Sequence, residues 1–156
     1  MVVNKLSVGY DEDFNRWIEQ TVDLLKARRF EALDLDNLID ELGSMSKRDK
    51  REILSRLKVL LMHLLKWQYQ PLQRSASWET TIRNNREEIA QILQDSPSLK
   101  SYPSLVLEQA YQSARQNAAS ETRLPIESFP EACPLAIADL LDDTFLPNEA
   151  PKKYQS

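Results

Sequence analysis

Apolar positions recur along this chain at spacings of three and four residues, and the longest such stretch is Lys47 to Gln70, KRDKREILSRLKVLLMHLLKWQYQ. At the helical angle of about 100° per residue, Ile53, Leu57, Leu60, Leu61, Leu64 and Leu65 fall on one arc, with Val59 and Met62 opposite. From Val59 to Leu65 only His63 is polar. That predicts a helix enclosed by neighbours on several sides rather than laid on a surface. Ser46 is its expected N-cap, and Asp49 three residues on completes a variant capping box. Pro71 ends it, because the residue before a proline is pushed out of the α region.

Shorter patterns flank it. Phe14, Ile18, Thr21 and Leu25, widened by Trp17 and Leu24, predict a first helix capped by Asp11, with Lys26, Arg28 and Arg29 near its negative pole. Leu35, Leu38, Ile39 and Leu42 predict a short second helix, capped by Asp34 or Glu31. Gly43 is expected to close it in a left-handed conformation, and a turn over 43–45 then brings it back beside the long helix. Ser77 is expected to cap a helix over 78–93, with Trp78, Ile82, Ile89, Ile92 and Leu93 inward and Asn85 on the same stripe. Ser96 and Pro97 open the next helix. Pro103 bends or restarts it, and its second half carries Val106, Ala110, Tyr111, Ala114 and Ala118, small enough along most of the stripe for a neighbouring helix to approach closely. Residues 123–134 hold Pro125, Pro130 and Pro134 and are expected to be irregular, with Pro134 opening a last short helix to about Leu141. Phe145 and Leu146 are expected to tuck onto the core. The expected fold is all-α: a compact bundle of about five to six helices around a long central helix over about 46–70. One domain is expected over 10–147, with flexible termini at 1–9 and 148–156.

Composition sharpens this picture. The chain of 156 residues has two glycines against eight prolines, which favours helices punctuated by proline over glycine-turned hairpins. Two isolated glycines exclude a glycine-rich phosphate loop, and no Gly-x-Ser-x-Gly elbow is present. The single cysteine excludes an internal disulfide. No apolar run approaches the roughly 18 residues of a membrane span. The opening MVVNKLSVGY lacks the apolar core of a secretory signal, so the expected location is the cytoplasm, away from the membrane.

Charge is uneven. Residues 1–46 hold 5 basic and 10 acidic side chains, residues 47–86 hold 10 and 3, and residues 87–156 hold 5 and 11. A basic middle can fold against acidic flanks, or part of it can bind an anionic partner.

Four groups of residues have the right chemistry to be weighed as sites. His63, the sole histidine, suits acid–base work or metal ligation, or a hydrogen-bonded place between helices. A di-metal bundle needs two Glu-x-x-His motifs, and Leu60 stands where the glutamate belongs. Asp34, Asp36, Asp40 and Glu41 form an acidic cluster in which Asp36 and Asp40, four apart, suit a hard cation, a solvated face, or neutralisation of Lys47, Arg48 and Arg51. Cys133 before Pro134 sits at an expected helix start, where a thiol pKa can fall, and could pair with His63. Trp67, Tyr69, Arg74 and Trp78, with Lys66, cluster where the central helix ends. They suit stacking on a base or a partner, or closure of the core.

The segments LDLDNLIDEL, KREILSRLKVLLMHLLKWQYQP, RSASWETTIR, DSPSL, FPEACP and FLP resemble a mainly cyanobacterial family catalogued as domain of unknown function number 29. The likeness runs from about Tyr10 to Pro147, and MHLLKWQYQP with the Ser-Trp that follows is its most specific part. It implies a small helical protein of the bacterial cytoplasm, implies no particular activity, and transfers no functional residue.

A complete core pattern without a catalytic set points to a non-catalytic protein-interaction module, with a protein partner and a possible homo-oligomer. Its expected contact surface is His63, Trp67, Tyr69, Arg74 and Trp78. No cofactor, metal or catalytic residue is assigned. The alternatives are nucleic-acid binding by the basic segment 47–86, which the acidic total disfavours, and a small enzyme or metal-binding protein using His63 with nearby carboxylates.

Overall fold

Five α-helices and no strand make up the regular structure of the described residues, 8–155, in a computed structural model of the chain. They are α1 (Phe14–Lys26), α2 (Leu35–Tyr69), α3 (Ala76–Asp95), α4 (Tyr102–Thr122) and α5 (Ile137–Leu140). The all-α expectation holds, and the long central helix is longer than expected. The expected break at Gly43 is absent: the predicted second helix and the central helix are one element, α2, and Ser46 lies inside it rather than capping it. Gly43 does not take a left-handed conformation. A glycine in a helix interior costs only about 1 kcal/mol relative to alanine, which good helix formers on both sides outweigh.

Other boundaries shift by a residue or two. Asp13, not Asp11, caps α1, accepting from the Arg16 amide at 3.0 Å. Ser75, not Ser77, caps α3, accepting from the Trp78 amide at 3.2 Å. Ser96 and Pro97 open only a 3-10 turn over Pro97–Leu99, and Pro103 restarts the helix, standing in the first turn of α4. Pro134 does not open α5, which starts at Ile137. Pro71 stops α2 at Tyr69 and begins a 3-10 turn.

The chain divides into two compact units, Met1–Lys47 and Arg48–Ser156. The first is a thin assembly. Of the stripe expected to face inward on α1, only Trp17 and Thr21 are buried. Tyr10 packs edge-on against Phe14 and Trp17, with ring centroids 5.5 and 5.0 Å apart. The expected loose leader, residues 1–9, lies largely outside the described residues.

The second unit holds the core. Ile53, Leu57, Leu60, Leu61, Leu64 and Leu65 are all completely buried, the arc expected from the helical wheel. Ile82 and Ile89 of α3 and Val106, Ala110, Tyr111, Ala114 and Ala118 of α4 pack with them. Each buried large aliphatic contributes roughly 1.5–3 kcal/mol by leaving water. Phe129, Leu140 and Ala150 complete the cluster, so the largely irregular segment after α4 contributes to the core. Within the expected polar tail, Ala150 is buried and its amide donates to the Gln68 carbonyl at 2.9 Å.

Side chains of α4 hold the segment Phe129–Cys133 by its backbone. The Tyr111 hydroxyl donates to the Pro130 carbonyl at 2.6 Å, the Gln112 amide to the Glu131 carbonyl at 2.6 Å, and Arg115 to the Phe129 carbonyl at 3.1 Å. Glu108 accepts from the Cys133 amide at 2.8 Å. This stretch forms no helix or strand of its own, and these side chains pair its backbone groups instead.

Candidate functional site

The end of α2 gathers the expected aromatic cluster. Trp67 and Tyr69 are buried, and the Tyr69 ring lies 4.5 Å from that of Phe129. Arg74 donates through Nε to the Trp67 carbonyl at 2.8 Å, and its guanidinium sits 4.8 Å from the Trp67 ring centre. Lys66 Nζ lies 4.6 Å over the half-buried Trp78 ring and 2.6 Å from Glu121 Oε2. The cations that would meet an anionic ligand here are already set on the chain's own rings and acids.

His63 is half-buried beside this cluster. Its Nδ1 lies 2.9 Å from the Val59 carbonyl one turn earlier, which requires the proton on Nδ1 and leaves Nε2 as an acceptor. Burial lowers its pKa from the ordinary value, partly offset by the Val59 hydrogen bond. Among the described residues no carboxylate hydrogen-bonds to the ring.

The other candidates are dispersed. Asp34 accepts from the Asn37 side chain at 2.7 Å and from its amide, as a residue at the start of α2 should. Glu41 accepts a hydrogen bond from the Tyr10 hydroxyl, which raises the pKa of that tyrosine. Among the described residues no three His, Cys, Asp or Glu side chains converge to hold a metal ion. Cys133 is not at a helix start. Its thiol lies 3.5 Å from the Leu135 carbonyl, and burial raises its pKa, the opposite of activation. Its neighbours are on α4 and the adjoining loop, whereas those of His63 are Val59, Lys66 and Glu121, so the proposed pairing is not formed.

Two features escaped the sequence. The first is Arg86 of α3, only 2% exposed. Its Nε donates to the Leu140 carbonyl at 2.7 Å, and its Nη2 to the carbonyls of Phe145 at 2.9 Å and Asp139 at 3.3 Å. Burial lowers its pKa, with Asp143 and Asp142 opposing, though a guanidinium keeps its charge in any protein setting. Arg86 lies between two cavities. The larger, about 570 Å³, is lined by Ile89, Ala90, Leu93, Gln94, Lys100 and Leu141 besides Arg86. The smaller, about 190 Å³, includes Glu79, Arg83 and Asp143. The only sequence signal was a charged residue one position after Asn85 on the inward stripe.

The second is the open apolar face of α2 in the first unit. Leu35 is 54% exposed, Ile39 63%, Leu42 59% and Met45 55%. Their spacing of four, three and three residues places them on one side of the helix. Isolated exposed apolar side chains are ordinary, but a contiguous row of four on one helix face is not.

None of the described helices is long and apolar enough to cross a membrane. No curated protein and no solved structure matches the chain. The family model described as "Domain of unknown function DUF29" matches residues 9–146, from the turn before α1 to the residues that Arg86 anchors, and the chain belongs to that family.

Proposed function

We propose that the protein is a non-catalytic cytoplasmic interaction module that self-associates through α2, residues 35–47 of two copies packing antiparallel. The observation that carries this is the row of four large apolar side chains, each more than half exposed, on one face of a helix. A second copy is favoured over a different partner because the face complements itself. Leu35 and Ile39 stand toward one end of the row and Leu42 and Met45 toward the other, so reversing the helix superposes apolar on apolar. With a two-fold axis between Asp40 and Glu41, Ile39 meets the partner's Leu42 and Leu35 comes close to the partner's Met45, each contact occurring twice.

Of the ten cations in residues 47–86, Arg56, Lys66, Arg74 and Arg83 are in ion pairs and Arg86 is buried, so half of that charge is already used within the chain.

Sedimentation velocity over a concentration series tests the proposal. A dimer is expected for the native chain and a monomer for Ile39→Asp. Leu42→Asp should likewise give a monomer, and Asp40→Lys, on the opposite side of the helix, should leave association unchanged. A native chain that is monomeric throughout, or a dimer indifferent to Ile39→Asp, overturns it.

A further inference from the structure

The larger cavity beside Arg86 has the composition of a small-molecule site. Its volume of about 570 Å³ is within the range of roughly 300–1,000 Å³ typical of ligand pockets. Ile89, Leu93 and Leu141 supply apolar walls, and its charged members are two cations, Arg86 and Lys100, with no acid among the lining residues. Lys100 makes no ion pair among the described residues.

The guanidinium itself is incompletely used. Arg86 donates through Nε and Nη2, and Nη1 has no partner among the described residues. Arg86 is 2% exposed as a whole and lines both cavities. Of the two cavities at Arg86, the smaller already carries the carboxylates of Glu79 and Asp143. The larger offers the guanidinium a wall of hydrocarbon and a second cation. A buried guanidinium without a contacting carboxylate favours an anion, and hydrogen bonds to it are strengthened by charge.

We propose that this cavity binds a small monocarboxylate with an apolar body, its carboxylate held by Arg86 Nη1 and Lys100 and its hydrocarbon against Ile89, Leu93 and Leu141. The site lies wholly within the second unit and is independent of self-association through residues 35–47.

Octanoate is the probe, titrated into the full-length protein and followed by amide and methyl NMR, with octanol and acetate as controls for tail and head alone. Shifts are expected to saturate for octanoate at Ile89, Leu93 and Leu141, and both controls should bind at least about tenfold more weakly, the scale of one hydrogen bond to a charged group. Lys100→Gln, at an exposed position, should weaken octanoate about tenfold. Ala90→Trp should abolish binding by filling the cavity while leaving both cations in place. Circular dichroism on each variant confirms that it is folded, and Lys100→Gln keeps the test decisive if Ala90→Trp does not fold. No saturable shift with octanoate, equal binding of octanol, or shifts that map away from α3 and Leu141 overturn the proposal.

Discussion

Arg86 Nε lies 2.7 Å from the carbonyl oxygen of Leu140, joining positions 54 residues apart in the chain. With its two further bonds to Asp139 and Phe145, one side chain satisfies three carbonyls of a segment that contains only a single turn of helix, α5. If the guanidinium were removed, the carbonyls of Leu140 and Phe145 would lose these donors, while that of Asp139 keeps the Asp142 amide at 3.2 Å. Arg86→Met, which keeps the aliphatic stem, is expected to lower stability by about 2–4 kcal/mol. Urea unfolding gives the magnitude, and hydrogen exchange should show the loss of protection concentrated over residues 137–146. Arg86→Lys should rescue little, because an ammonium cannot reproduce the planar fork. An unchanged urea midpoint for Arg86→Met would falsify the anchoring role.

The central arc of α2 sets a second expectation. Leu61 is completely buried, and Val59, two residues earlier, is 36% exposed. Leu61→Ala removes apolar contact and leaves a cavity in a core that relaxes only partly, costing about 2–5 kcal/mol. Val59→Ala should cost under about 1 kcal/mol, because the site is open to solvent. Equal effects in paired denaturation curves would contradict the packing described for the second unit.

Periodicity carried most of the fold. Ile53 to Leu65 and Val106 to Ala118 were legible as buried stripes because a large core enforces the helical period on both. The same logic misled in the first unit, where Leu35, Ile39 and Leu42 follow a core-like pattern yet face solvent. A stripe records that a face seeks cover, and an intermolecular face writes the same pattern as an intramolecular one. Arg86 was illegible for a different reason. A buried arginine is rare unless partnered, and its partners are backbone carbonyls, which leave no complementary residue type in the sequence. The aromatic end was located correctly, but stacking of Lys66 and Arg74 on Trp78 and Trp67 within the chain is indistinguishable in sequence from stacking on a ligand.

Gly43 offers a direct test of why the expected break is missing. It sits within α2 without a left-handed conformation, and beyond its chain neighbours and the backbone of its own helix no described atom lies within 4 Å of where a Cβ would be added. Gly43→Ala should therefore stabilise the helix by about 0.5–1 kcal/mol, by lowering the backbone entropy lost on folding. A rise in the helical signal and in the thermal midpoint is the expected result. A fall would mean that residues 43–45 form the turn first expected there.

His63 links burial to pH. Burial favours the neutral imidazole, so its folded pKa lies below the unfolded value of about 6.5. In the window between those two values the unfolded chain binds more protons than the folded one. Stability then rises with pH through that window, or equivalently falls as pH is lowered through it, and levels off once both states are protonated. Because the chain has a single histidine, this dependence belongs to one side chain. Denaturation midpoints between pH 7.5 and roughly 5 should decline for the native chain and flatten for His63→Gln. The single imidazole resonance followed by NMR gives an independent reading, with an expected titration midpoint below about 6.5. A midpoint at or above that value would show that the hydrogen bond to Val59 and the nearby Glu121 outweigh burial, and the slope of stability with pH would then reverse.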